Sequence, residues 1–300
     1  MAGHASNLFK HRSTTQEFLF SHSDDIIDEG DAQAVLTRRK CAAAPSPDPL
    51  FSDMKDRQGL VHAIDTHMAS ASALCAIAVK IEGPEETGIP EDAVVAIATL
   101  CRTHQGNWAR IGPDRFACVV PHLTAADGLV LAQHLLNAFP DAENQPFTVG
   151  VAAYPTINYV RTQIVENAEK ALEHASFFGP GTITGFDAVS LNISGDRYYQ
   201  AGDIAGAIGE YQKGLLLDPA DANLHNSLGV CHGVLKDFEN ALSAFENAIW
   251  LSPQEVMAIY NKAYILLLKG NLEQALGCFL KACLLYTSDA ADDRTCVGGG

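Results

Sequence analysis

Arg110-Ile111-Gly112-Pro113-Asp114-Arg115-Phe116 follows a turn-like run, His104 to Asn107, and precedes an apolar run, Ala117 to Val120. A polar bend followed by β-prone apolar residues predicts the turn and second arm of a β-hairpin. Gly112 is expected to supply the backbone freedom of a tight turn.

Working outward from this bend, the elements alternate. Upstream, Leu60, Ile64 and Met68 share one helical face, and Ala73 to Ile81 is apolar enough for a buried strand. Val94, Ile97, Ala98 and Cys101 mark a second helix. Downstream, Thr124 reads as the N-cap of a helix reaching Asn137, and Phe147 to Tyr154 as a strand. Glu166 to Phe178 is a helix stopped by Gly179-Pro180-Gly181, and Thr182 to Phe186 a short edge strand. The order α-β-α-β-β-α-β-α-β predicts one sheet covered by helices.

Several of these segments resemble the diguanylate cyclase (GGDEF) family. Arg110 to Phe116 is similar to its R-x-G-G-D-E-F signature, with Pro113 and Arg115 substituted. Asp48, Pro49, Leu50 and Arg57 match the D-P-L-T-G-L-x-N-R-R-x-F opening, with Phe51, Ser52 and Asp53 in place of T-G-L. The strand at Phe147 resembles T-x-S-x-G-x-A. The resemblance covers residues 46–187 and implies a palm-like α+β domain, with a GGDEF-like dimer as one mode of association.

The same resemblance implies a reaction, condensation of two GTP molecules to cyclic di-GMP with divalent metal. Such chemistry needs carboxylates near the phosphates. Lys80 stands where the first metal-binding Asp belongs, and Glu82 lies near the second acidic position. Lysine can meet a phosphate but cannot ligate Mg²⁺. Pro113 removes a backbone N–H, Arg115 replaces an acid, and Ser176 stands in place of the phosphate-binding lysine. The upstream R-x-x-D inhibitory site reads Thr103 and Gly106. The expectation is no catalytic residue, no cofactor and no metal, with Asp114 and Glu82 as vestigial positions. Arg110 is expected to be structural, and Asp114 a turn residue beside Arg115.

After Asp187 a different signal begins. With a period of about 34 residues, small residues recur at Gly195, Gly229 and Ala263, and turn residues at Gly202-Asp203, Lys236-Asp237 and Gly270-Asn271. Aromatics recur at Tyr211, Phe245 and Phe279, and Pro219 and Pro253 close two of the repeats. The pattern resembles the tetratricopeptide (TPR) family, in which helical hairpins stack into a solenoid. Repeats are expected at 188–221, 222–255 and 256–282. TPR solenoids bind peptides or proteins on the concave surface of their first helices. By the repeat register that surface includes Asn192, Asp196, Asn226, Val230, Tyr260, Tyr264, Leu267 and Leu268. The apolar third-repeat members also fit packing against a following repeat, and no basic clamp for a C-terminal carboxylate is present. His225 and His232 are expected to pack inward.

Residues 1–45, ending near the Pro-rich linker Ala42 to Pro49, read as a poorly ordered arm. From Cys283 the chain resembles a translated sequencing adaptor, so 283–300 is expected to carry no function and the natural protein to continue past Ala282. The 300-residue length suits about two domains, and the net charge of -16 argues against nucleic acid as partner. Apolar runs too short for a bilayer argue against membrane insertion. Eight scattered cysteines read as buried reduced thiols of a cytoplasmic protein. The sequence therefore predicts a non-catalytic scaffold in bacterial signalling. GTP or cyclic di-GMP sensing without turnover is the alternative, and a weak cyclase stands behind both.

Overall fold

A computed structural model describes residues 51–83, 88–139 and 146–296, with side chains to Thr287. The expected arm at 1–45 lies outside the described residues. Contacts divide the chain at Ser190–Leu191 into an α/β unit and a helical unit.

The α/β unit runs β1 (Lys55–Asp56), α1 (Arg57–Thr66), β2 (Leu74–Ile81), α2 (Glu91–Thr103), β3 (Asn107–Arg110), β4 (Arg115–Pro121), α3 (Ala125–Asn137), β5 (Phe147–Tyr154), α4 (Ile164–Ser176) and β6 (Ile183–Gly185). The sheet order is β1-β3-β4-β2-β5-β6. β2 is central, antiparallel to β4 and β5, and all of it is buried except Lys80. The two edge strands, β1 and β6, pair parallel to their neighbours.

Strand alternation sorts side chains by size onto the two faces. Cys75, Ile77, Val79, Phe116 and Val151 face α2 and α3. Ala76, Ala78, Ala117 and Ala152 face α1 and α4. Small residues on the second face let α4 approach closely, and Gly150 marks its tightest point. A Cβ there would lie 2.1 Å from the backbone nitrogen of Leu172. Each large aliphatic side chain buried on either face contributes about 1.5–3 kcal/mol.

The helical unit contains three hairpins: α5 (Ala188–Gln200) with α6 (Ile204–Leu217), α7 (Ala222–Val234) with α8 (Phe238–Leu251), and α9 (Val256–Leu268) with α10 (Leu272–Cys296). Aspartate caps start α6 and α8, where Asp203 accepts from the Gly206 N–H at 2.8 Å and Asp237 from Asn240 at 3.4 Å. Inside each of the first two hairpins a glycine faces an aromatic ring. A Cβ at Gly195 would come within 2.3 Å of Tyr211, and one at Gly229 within 2.6 Å of Phe245.

The turn inside each hairpin needs a left-handed residue. Gly202 (φ 80°) and Gly270 (φ 81°) supply it in two repeats, and Lys236 (φ 60°) in the middle one. An L-residue there carries a steric cost that glycine lacks. Lys236→Gly should therefore raise stability by about 0.5–1 kcal/mol, read as a higher urea midpoint. An unchanged or lower midpoint would show that Lys236 is unstrained.

Candidate functional site

The end of β2 brings together the residues that the cyclase resemblance singles out. Register sets Lys80 opposite Arg115 on β4 and Thr148 on β5. All three share the parity of the face covered by α1 and α4. The Lys80 ammonium lies 2.7 Å from one oxygen of Glu82, and the Thr148 hydroxyl donates to the other at 2.9 Å. Both Glu82 oxygens thus have partners, one of them a cation. This donor set does not fit a divalent metal, because Lys80 places a positive charge where the ion's own charge would sit. Among the described residues no three His, Cys, Asp or Glu side chains form a metal-binding group.

Asp114, at the hairpin bend, accepts through its backbone carbonyl from the Ile81 N–H at 2.8 Å, between Lys80 and Glu82. Its carboxylate is 4.0 Å from the Arg115 guanidinium, which also lies 4.0 Å from Glu173 on α4. The bend closes differently from expectation. Gly112 does not adopt positive φ, and a Cβ there would lie 3.3 Å from the Arg115 Cβ. Instead Ile111 and Gly112 donate to the Arg115 carbonyl at 2.9 and 3.2 Å. Arg110 donates from Nε to the Gly112 carbonyl at 3.1 Å and from Nη2 to that of Pro113. Its guanidinium is committed to holding the turn.

Asp53, just before β1, accepts from Arg102 Nε on α2 at 2.9 Å. This bond holds its carboxyl down at about 2, against an ordinary 3.8. A depressed folded-state value gives stability that is present above the ordinary value and lost as pH falls towards the depressed one. Asp53→Asn should flatten the acid stability curve between those values. Coincident curves for the two proteins would show that the pair contributes nothing.

A serine, a histidine and an aspartate meet where the α/β unit ends. The Asp187 carboxylate accepts from the backbone N–H and hydroxyl of Ser190, both at 2.8 Å. His174 Nδ1 lies 3.4 Å from Asp187 and 3.5 Å from Ser190 Oγ. Burial raises the Asp187 carboxyl, but the bonds from His174 and Ser190 outweigh it and bring it below its ordinary value. The hydroxyl donates directly to the carboxylate instead of through the imidazole, which is the arrangement of a helix cap and not of an activated nucleophile.

In the helical unit, much of the expected binding surface is interior. Asn192, Asp196, Asn226 and Val230 are all buried. Asn192 accepts from Ser227 at 3.3 Å and Asn226 from Asn261 at 3.1 Å, so these amides tie one repeat to the next. Asp196 accepts from the Tyr211 hydroxyl at 2.7 Å within its own hairpin. The contacts of Asn192 and Asn226 thus run between repeats, and that of Asp196 stays within one. Tyr260 is half-buried, its ring edge-on to Phe279 at 4.9 Å. Tyr264 is half-buried, while Leu267 and Leu268 are exposed. His225 and His232 do not pack inward as expected. They are partly exposed at helix ends, beside the Pro219 carbonyl and Asp237 respectively.

Removing one partner of the Asn226–Asn261 bond leaves the other amide buried, at a cost of about 1–3 kcal/mol. Asn226→Ala should show that loss in urea unfolding, and Asn226→Leu with Asn261→Leu should recover most of it. Equal losses in both variants would mean that the amides are held by packing alone.

Two family models, described as TPR repeat and Tetratricopeptide repeat, match residues 195–233 and 233–293. Those residues are tetratricopeptide repeats. The second match continues past Ala282 into the stretch read as adaptor-like, where α10 also continues. Among curated proteins, a BBSome complex member BBS4 homolog of Drosophila melanogaster is 35% identical over 63 residues, covering 21% of this chain. The matched segment spans only 13% of that relative's length. Among solved structures, the second TPR of Spaghetti (RPAP3), bound to an HSP90 peptide, is 24% identical over 33% of this chain and 92% of its own, with a TM-score of 0.32. The yeast Sti1 TPR2B domain, in a complex with pHsp70, is 21% identical over 36% of this chain and 88% of its own, with a TM-score of 0.33. Among the described residues no helix is long and apolar enough to cross a membrane.

Proposed function

We propose that this protein is a non-catalytic interaction protein, whose TPR repeats hold a protein or peptide partner beside a degenerate, palm-like GGDEF domain of structural or regulatory role. The observation that carries the reading is the closed charge system at the end of β2. Lys80 neutralises Glu82 at 2.7 Å, and Thr148 takes its other oxygen. A metal-assisted phosphoryl transfer there would have to displace that ammonium, and Asp114, the other acid the resemblance points to, lies 4.0 Å from the Arg115 guanidinium. Arg115 and Ser176 supply no substitute ligand, and Ser176 spends its hydroxyl on the Leu172 carbonyl at 2.8 Å.

The full chain incubated with radiolabelled GTP and Mg²⁺ or Mn²⁺ should give no cyclic di-GMP above blank. Product formation would overturn the catalytic half of the reading. Calorimetry with GTP and with cyclic di-GMP separates a scaffold from a sensor, which would bind saturably and more weakly as Asp114→Ala.

For the repeats, the open part of the predicted surface is Tyr264, Leu267 and Leu268. Peptides selected from a random library against the full chain should lose at least about ten-fold in affinity to Leu267→Glu, a charge in an apolar contact. Selected peptides that bind both proteins equally would remove that surface from the proposal.

A further inference from the structure

The two edges of the sheet are built differently. β1 is two residues long, and both of them, Lys55 and Asp56, are charged. A short charged edge resists the addition of another strand. β6 reads Ile183-Thr184-Gly185 between Thr182 and Phe186, with neither a charge nor a proline. It lies between α4 and α5, inside the chain.

Parallel pairing to β5 engages alternate residues of β6. The Thr182 carbonyl accepts from the Val149 N–H at 2.9 Å, and the Phe186 N–H donates to the Val151 carbonyl at 2.7 Å. With Val149 opposite Ile183 and Val151 opposite Gly185, the Thr184 N–H and carbonyl face β5 as well. The N–H and carbonyl of Ile183 and of Gly185 therefore point outward, and among the described residues none bonds to them. The side chain of Ile183 packs on the face covered by α2 and α3. On that face a Cβ at Gly185 would meet nothing nearer than Leu129 Cδ2, at 4.0 Å. Leu129 and its neighbour Val130 on α3 are 38% and 54% exposed. The one carboxylate of α3, Asp127, is tied into the capping box with Thr124.

We propose that β6 is the seam of a two-fold homodimer, pairing antiparallel with β6 of a second copy about an axis through Thr184. Antiparallel strands bond through opposed residues that exchange both N–H and carbonyl. On this axis Ile183 of each copy is opposed to Gly185 of the other, so every outward group of both strands is satisfied. Each Ile183 then lies beside the bare Gly185 across the seam, next to Leu129. Thr184 meets Thr184, a favourable cross-strand pair. The strand is thus its own complement in hydrogen bonding and in size, as a two-fold interface requires. Charge favours the same occupant. Two chains of net charge -16 repel each other least where neither presents a charge, and residues 179–186 carry none. The inference does not depend on what the repeats bind.

Sedimentation velocity on the full chain should show a concentration-dependent dimer. Thr184→Glu and Thr184→Lys each set two like charges together on the axis, and each should raise the dissociation constant at least about ten-fold. An equimolar mixture of the two should form a heterodimer, because the axis then holds one charge of each sign. Amide exchange on the wild-type chain reads the seam without any substitution. Ile183 and Gly185 should exchange slowly in the dimer and fast on dilution, while Thr184 and Phe186, bonded to β5, stay slow throughout. A chain that is monomeric at every concentration, a dimer indifferent to both substitutions, or Ile183 and Gly185 amides indifferent to dilution would each overturn the proposal. Slow exchange of those two amides in a monomeric chain would assign the edge to another occupant.

Discussion

Gly150→Ala is expected to destabilise the α/β unit by about 3 kcal/mol or more, at or beyond the upper end of what overpacking usually costs. The added methyl would lie 2.1 Å from the Leu172 nitrogen and 2.3 Å from the Ala168 carbonyl oxygen. Both are backbone atoms of α4, so no side chain can rotate out of the way and the helix itself must lift. Lifting α4 loosens Ile164, Ala168 and Leu172 from the sheet. It also draws Glu169 away from Arg57, whose Nη1 donates to it at 2.7 Å. Urea unfolding followed by circular dichroism reads the effect as a large fall in midpoint. Gly209→Ala is the matching control. A Cβ there meets nothing within 4 Å, and helix propensity predicts a gain of up to about 1 kcal/mol. A Gly150→Ala protein as stable as wild type would mean that α4 does not sit this close to β5.

The contrast between these two glycines shows what the sequence could and could not disclose. Periodicity marked β2, the hairpin arms, α3 and the repeat period, because each is a local pattern of apolar residues repeated over a whole element. The three hairpins start at Ala188, Ala222 and Val256, 34 residues apart. β1, two residues long, is too short for any pattern, and its pairing to β3 is a tertiary event. The partnership of Glu82 with Thr148 depends on strand register across a gap of 66 positions, which no local signal encodes. Sequence shows Lys80 and Glu82 two positions apart. It could not show that the two side chains pair with each other.

The same limit applies to the helix surfaces of the repeats. A helical register gives the direction of Asn192, Asp196, Asn226 and Val230 on their helices, but not the distance to the next repeat. At the observed spacing the amides are close enough to bond one another, so a polar residue at a partner-facing register became an interior one. Buried amides of this kind fix the stacking register of neighbouring repeats, since a slipped array would leave them without partners. The cap made by Asp187, Ser190 and His174 has no local signal, because His174 belongs to α4 in the preceding strand–helix unit. Only the fold brings it to the start of α5.

Phe245→Ala should destabilise the helical unit by about 3–5 kcal/mol. The ring is fully buried and fills the space between α7 and α8, where Gly229 leaves room for it. In a stack of repeats each hairpin is held by its neighbours, so damage to the middle one weakens the seating of α7 on α6 and of α9 on α8 together. The loss should appear as a lower urea midpoint and as earlier amide exchange across α7, α8 and α9. Gly229→Ala tests the same contact from the other side. Alone it drives a methyl to 2.6 Å from the ring and should cost about 1–3 kcal/mol. Combined with Phe245→Ala the methyl enters the vacated space, so the double variant should be more stable than the sum of the singles by about 1 kcal/mol. Strict additivity would mean that the ring and the glycine are not partners. Coupling of the predicted sign would tie the small-residue and aromatic positions of this hairpin, Gly229 and Phe245, to one packing requirement.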